Sequence, residues 1–257
     1  MTLSDWRSMR VISDDGPIAR ASIGLITLAS DVVIERELAR MMPVEGVGVF
    51  ASRIAIDGDL TVDGLARLEA GIPAAARLLL PEERLDAIAF GCTSGAIAIG
   101  AERVAAAIHA VRPGIVTVDP FSAALAAFAA LGLKRVALLT PYPDAVSESI
   151  RRALEAHGVQ VPVFGTFRQT HDPTICRVAP QAILEAAGAL GETDVDGVFI
   201  SCTALRVSSV LSAIEARIGK PVIASNQALA WDLLRRTGIA DPVSGFGRLL
   251  ESITTAS

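Results

Sequence analysis

Short runs rich in Ile, Val, Leu and Phe alternate along the chain with longer stretches rich in Ala, Leu and Arg. The segments 22–29 (SIGLITLA), 47–52 (VGVFAS), 86–91 (DAIAFG), 114–118 (GIVTV), 135–140 (RVALLT), 161–166 (VPVFGT), 196–201 (DGVFIS) and 221–225 (PVIAS) read as strands. They are nearly continuously apolar rather than alternating, the pattern of a parallel sheet covered on both faces. Helix-length segments lie between or beside them at 33–42, 61–79, 96–111, 121–132, 144–157, 178–191, 205–218 and 226–237. Alternation of this kind predicts stacked βαβ units in a doubly wound architecture.

Two of the strands repeat. Asp86-Ala-Ile-Ala-Phe-Gly-Cys92-Thr93 lies over Asp196-Gly-Val-Phe-Ile-Ser-Cys202-Thr203 without a gap, at an offset of 110 residues. Upstream of each, IGLITLASD ending at Asp31 matches VALLTPYPD ending at Asp144, at an offset of 113, with Thr27 over Thr140. Two matches in the same order at nearly one offset point to a duplicated half. The predicted fold class is therefore α/β with two similar lobes, each a small parallel sheet flanked by helices. A pseudo-twofold relates the lobes, with the active site between them. The expected division is an N-terminal leader at 1–20, a first lobe at 21–119 plus 226–257, and a second lobe at 120–225.

Composition narrows the function. The 257 residues are 51% hydrophobic and 20% charged, ample for a core, and a net charge of −5 with no basic run argues against nucleic acid as a partner. Only 4% are aromatic, which removes the stacking platforms of single-strand binders. Three cysteines make no disulfide framework in a chain of this length. No signal-like or membrane-spanning stretch is visible, so the expected setting is the cytoplasm, with no membrane partner.

Strand ends in open parallel sheets are where ligands bind. Cys92 and Cys202 both fall there, each before an expected helix, and if the halves pack face to face their thiols oppose one another. A single cysteine in such a sequence is more often a small core residue; occupation of one equivalent position twice reverses that reading. Cys176 has no counterpart and is assigned to the core. Opposed thiols suit proton transfer on the two faces of one carbon, the thiolate taking a proton and the thiol returning one. A free thiol has a pKa of about 8.5, which a helix N-terminus lowers. Thr93, Ser94, Thr203 and Ala204 offer hydroxyls and backbone N–H groups to a carboxylate gaining enediolate character, where one donor contributes about 3–4 kcal/mol. For Thr93 and Ser94 helix capping is a compatible role.

These residues carry a resemblance. GCTSG at 91–95, LTPYPD at 139–144, SCTALR at 201–206, SNQALAW at 225–231 and the opening IGLITLASD resemble the aspartate/glutamate racemase superfamily. Within it they are most similar to the branch of maleate isomerases, arylmalonate decarboxylases and ectoine-utilisation proteins. The resemblance spans nearly the whole chain after about residue 20. It implies a two-lobed fold, Cys92 and Cys202 as the catalytic pair, no cofactor and no metal. It also implies that Tyr142, the chain's one tyrosine, donates its hydroxyl to a substrate carboxylate; the alternative is a turn residue between Pro141 and Pro143. Asn226 fits a loop- or ligand-orienting role or a helix N-cap.

Decarboxylases of this branch keep a cysteine only at the second position, so a pair argues for racemisation or isomerisation. Maleate isomerases resemble the chain but carry Asn at the position of Asp31, and another near Asp172. An Asp there repels a dicarboxylate, since like charges about 4 Å apart cost roughly 1–4 kcal/mol, and suits an ammonium or amide N–H. The expected substrate is a small carboxylate with a nitrogen-bearing tail, an amino acid or acylated diamino acid; Asp172 also reads as a helix N-cap. Alternatives are maleate cis–trans isomerisation with one cysteine as nucleophile, an arylmalonate-type decarboxylase, and a non-catalytic small-molecule binding protein. The Ala-rich helices are compatible with a homo-oligomer.

Overall fold

The structure, a computed structural model, describes residue 6, residues 8–56 and residues 60–252. Residues 1–5 and 7 of the expected leader, and 253–257 of the expected first lobe, lie outside the described residues. The first half of the chain contains β1 (Ala21–Leu28), α1 (Ile34–Met41), β2 (Val47–Ile54), α2 (Val62–Ala66), α3 (Ile72–Leu78), β3 (Ala87–Gly91), α4 (Thr93–Ile99), α5 (Ala101–His109) and β4 (Val116–Val118). The second contains α6 (Pro120–Leu131), β5 (Val136–Thr140), α7 (Asp144–Ala156), β6 (Phe164–Thr166), α8 (Asp172–Ile175), α9 (Pro180–Gly191), β7 (Gly197–Ile200), α10 (Leu211–Ile218) and β8 (Val222–Ala224). The chain continues through α11 (Ser225–Arg236) and α12 (Arg248–Glu251).

Two four-stranded sheets form, ordered β2-β1-β3-β4 and β6-β5-β7-β8, and every pairing is parallel. The second order is the first one repeated, strand for strand. The duplicated acid does the same work in each half. Asp86 accepts the Ser22 N–H at 2.8 Å, fastening the start of β3 to that of β1, and Asp196 accepts the Lys134 and Arg135 N–H groups at 2.8 Å, fastening β7 to β5. β1, β3, β5, β7 and β8 are buried along their whole length, as continuous apolar runs require when helices cover both faces. Helix α11 is buried from Ser225 to Leu234 and packs against α6, α1, β3, β4 and β8.

All eight expected strands are present, and the helices differ in places that sequence pattern does not mark. The expected helix 61–79 is α2, a 3-10 turn at 67–71, and α3; Pro73, lacking an N–H, begins a new helix after Gly71. The expected helix 96–111 begins earlier, at Thr93, and breaks at Gly100, whose φ of 94° is open to glycine but strained for other residues. The expected helix 205–218 starts only at Leu211. The Ser208 N–H, which a longer helix would turn inward, instead meets the Glu37 carboxylate at 2.9 Å.

Removing the Asp86 carboxylate leaves the buried Ser22 N–H without its acceptor. The variant Asp86→Ala is expected to lose about 1–3 kcal/mol of unfolding free energy, read as a lower urea midpoint at unchanged slope.

Candidate active site

The carboxyl ends of the two sheets meet at the seam between the halves, and bonds cross there from the residue that follows each repeated cysteine. Thr93 Oγ1 donates to Ser225 Oγ at 2.8 Å, and Thr203 Oγ1 donates to the Gly91 carbonyl at 3.3 Å. The threonine hydroxyls therefore join the halves, where the sequence had suggested donors to a substrate.

Cys92 follows β3 directly and caps α4, its Sγ accepting the Gly95 N–H at 3.3 Å with Ser94 Oγ at 3.8 Å. Gly95 leaves room at this turn: a Cβ there would stand a tight 3.0 Å from that sulfur and 3.1 Å from Leu68 Cδ1. Cys202 precedes a tight turn rather than the helix expected after it, and its Sγ accepts the Ala204 N–H at 3.3 Å. The Ala204 N–H thus serves the sulfur. Tyr142, held through its carbonyl by the Ser147 and Thr166 hydroxyls, carries a phenol that lies near enough to Cys202 of its own half and Ser94 of the other to interact with both. It also feels Cys92 electrostatically. The carboxyls of Asp31 and Asp172 bear on both thiols. Two thiols, a phenol and two carboxyls thus lie close enough to act on one another, and Cys92 and Cys202 are only 4% and 2% exposed.

Burial decides the electrostatics. It pushes the Cys92 thiol up to about 12 and Cys202 well above the ordinary thiol value, and the negative charges of Asp172 and Asp31 push the same way. The N–H groups of Gly95 and Ala204 oppose this without overcoming it. The expectation that strand-end N–H groups lower these thiols is corrected: desolvation of a thiolate outweighs one or two donors. The Tyr142 phenol is raised for the same reason. Asp31 and Asp172 are raised by burial, and the charge of Asp172 adds to the shift at Asp31.

Asp31 Oδ1 accepts the Val33 and Ile34 N–H groups at 2.7 and 3.0 Å, whereas Oδ2, in a residue 1% exposed, has no hydrogen bond of ordinary length among the described residues. Its repeat partner Asp144 lies on the surface against Arg168 at 2.8 Å, so the duplicated acid has diverged. Asp172 is not a helix N-cap: it opens α8 and accepts the Ser30 hydroxyl at 2.5 Å. Nor is Asn226 an N-cap. Its amide donates to the Thr203 carbonyl at 2.7 Å and to Glu37 at 3.1 Å, steadying the turn after Cys202. Cys176 is buried as expected, though it also lies within the field of Asp31 and Asp172.

Several contributors carry no sequence signal. Glu37, on an amphipathic helix, reads as solvated but is buried and receives both Ser208 N–H and Asn226. Arg53 Nη1 donates to the carbonyls of Leu28, Ala29 and Asp31 at 3.2, 3.3 and 2.8 Å, and its Nη2 pairs with Glu35 at 2.8 Å, setting the turn that aims Asp31. Thr27 Oγ1 and Ser201 Oγ are buried at strand ends without a partner among the described residues. Among those residues no group of three or more His, Cys, Asp or Glu is arranged to hold a metal ion, and no helix is long and apolar enough to cross a membrane.

Residues 25–250 match the family described as arylmalonate decarboxylase. The chain is 28% identical over 236 residues to an arylmalonate decarboxylase of Bordetella bronchiseptica, covering 90% of this chain and 96% of that one. It is 31% identical over 131 residues to a maleate isomerase of Nocardia farcinica, about half of each chain (50% and 52%). Its fold is that of a Nocardia farcinica maleate cis-trans isomerase solved with a covalently bound succinylcysteine intermediate: TM-score 0.83 at 22% identity, covering 90% of this chain and 98% of the other.

The two carboxyls near the thiols make a measurable prediction. Replacing Asp31 by Asn removes a negative charge that holds Cys92 up. The pH profile of iodoacetamide alkylation at Cys92, followed by mass spectrometry, is expected to move to lower pH in Asp31→Asn. In the unsubstituted protein the rate climbs about tenfold per pH unit through the alkaline range.

Proposed function

The chain belongs to the arylmalonate decarboxylase family, and on that premise we propose that it is a cofactor-independent isomerase. In this reading Cys92 and Cys202 work on the two faces of one small carboxylate, an amino acid or acylated diamino acid. The observation that carries the reading is the convergence of one thiol from each half on a single compartment containing Tyr142. One cysteine as thiolate removes the proton from the carbon beside the carboxylate, the electron pair moves into the carboxylate to give an enediolate, and the opposite thiol returns a proton to the other face. Each turnover exchanges the roles of the two sulfurs. The Tyr142 and Ser94 hydroxyls hold the carboxylate and stabilise the charge that grows on it.

The acidic pair selects the substrate. Asp31 and Asp172 raise both thiols, and a ligand bringing two further negative charges raises them more. An ammonium or amide N–H against the free Oδ2 of Asp31 does the reverse, restoring the thiolate when the right molecule is bound. Maleate cis–trans isomerisation is the second reading, supported by the covalent cysteine adduct of the Nocardia enzyme. There one thiolate adds to the double bond, the new single bond rotates, and the thiolate leaves again. Decarboxylation ranks below both, because it has no use for a second cysteine.

A panel of amino acids, acylated diamino acids and maleate in deuterium oxide separates the readings. Racemisation is expected to place solvent deuterium at the α-carbon of a nitrogen-bearing substrate. Turnover of maleate alone, with no α-exchange of any amino acid, would overturn the proposal. Cys92→Ala is expected to lower racemisation by roughly 10²–10⁴-fold, by chiral chromatography, while exchange on the face served by Cys202 persists.

A further inference from the structure

A second cleft, of about 440 Å³, opens between α1 and the segments around Cys176 and Arg206–Ser209. Arg36 and Arg40, one helical turn apart on α1, enter from one half, and Arg206, Ser208 and Ser209 from the other. Arginines elsewhere, such as Arg20, Arg103 and Arg217, pair with a carboxylate. None of these three does so among the described residues. Arg40 donates to Ser208 Oγ at 3.3 Å and Arg206 to the Val178 carbonyl at 2.9 Å. Glu37, the carboxyl on this lining, has both oxygens turned to other donors, the Ser208 N–H and the Asn226 amide. Arg40 also lies over the Phe246 ring at 5.9 Å, and its charge acts on Glu37. Three guanidiniums around one concavity repel one another, and with no carboxylate salt bridge among the described residues they leave a local excess of positive charge in a chain of net charge −5.

We infer that this cleft, whose lining includes Cys176 but neither Cys92 nor Cys202, binds a small polyanion, a molecule carrying two or more phosphate- or carboxylate-borne charges. The guanidiniums supply planar paired donors and the serine hydroxyls complete the cradle. Because the donors come from both halves, the ligand fastens α1 to the turn after Cys202. That turn is also reached from Glu37 through Asn226 to the Thr203 carbonyl. Occupancy therefore adds a tie between the two halves.

Isothermal titration of the full chain with inorganic pyrophosphate, and separately with citrate, tests this and distinguishes phosphate from carboxylate chemistry. Saturable one-to-one binding of at least one is expected, weakening about tenfold in Arg36→Gln and about a hundredfold in Arg36→Gln/Arg206→Gln. Arg103→Gln, remote from the cleft, is expected to bind as the unsubstituted chain does. Arg36 has no carboxylate partner to lose, so its substitution leaves the fold intact, which a matching circular dichroism spectrum verifies. Absence of saturable binding by either anion, or affinity unchanged in the Arg36 and Arg206 variants, would overturn the inference. No step of the test requires turnover, so its outcome is independent of the proposed isomerase.

Discussion

Two threonine hydroxyls crossing the seam fix everything that happens at the strand ends. Thr93 reaches Ser225 and Thr203 reaches the Gly91 carbonyl, and each follows directly on a repeated cysteine. The bonds hold the backbone beside each cysteine against the other half. The pseudo-symmetry of the sheets would by itself bring two similar edges near each other; these bonds set the register in which they meet. Asn226 adds a third tie, gripping the Thr203 carbonyl and Glu37 together.

That seam sets an electrostatic conflict. It brings two thiols, a phenol and two carboxyls into a region from which water is nearly excluded, and every one of those groups is pushed toward its neutral form. A resting compartment of this kind is chemically quiet. In the proposed reaction, charge appears in it when a ligand arrives to balance that charge, so recognition and activation become the same event. The divergence between Asp31 and Asp144 belongs to this picture: the first half retains a buried acid and the second sends its copy to the surface.

The strands were legible because a doubly covered parallel strand must be continuously apolar, and the repeat was legible because Asp, Cys and Thr recur at fixed positions along it. From those two facts came the architecture and both thiols. What escaped was decided by partners distant in sequence. The turn after Cys202 looks helical until the Ser208 N–H finds Glu37, and Glu37 looks solvated until Asn226 covers it. Thr93 and Thr203 were placed at the site by position, but their hydroxyls were committed across a contact that no local pattern records. The thiol acidity ran opposite to the local expectation, since a strand-end turn is visible in the sequence and the dryness around it is not.

The exclusion of water has a kinetic consequence. Cys92 and Cys202 are only 4% and 2% exposed, so a solute of substrate size has little surface of either residue to meet while the halves stay as they are. Ser30 to Asp172, and the Leu60 N–H to the Thr170 carbonyl at 3.3 Å, tie segments of the first half to the 170–172 stretch of the second. In the proposed reaction, admission and release would then be gated, and motions of that kind run on microsecond to millisecond scales and often set the pace of an enzyme. A machine whose chemistry needs no metal or coenzyme in this reading would thus be timed by its door.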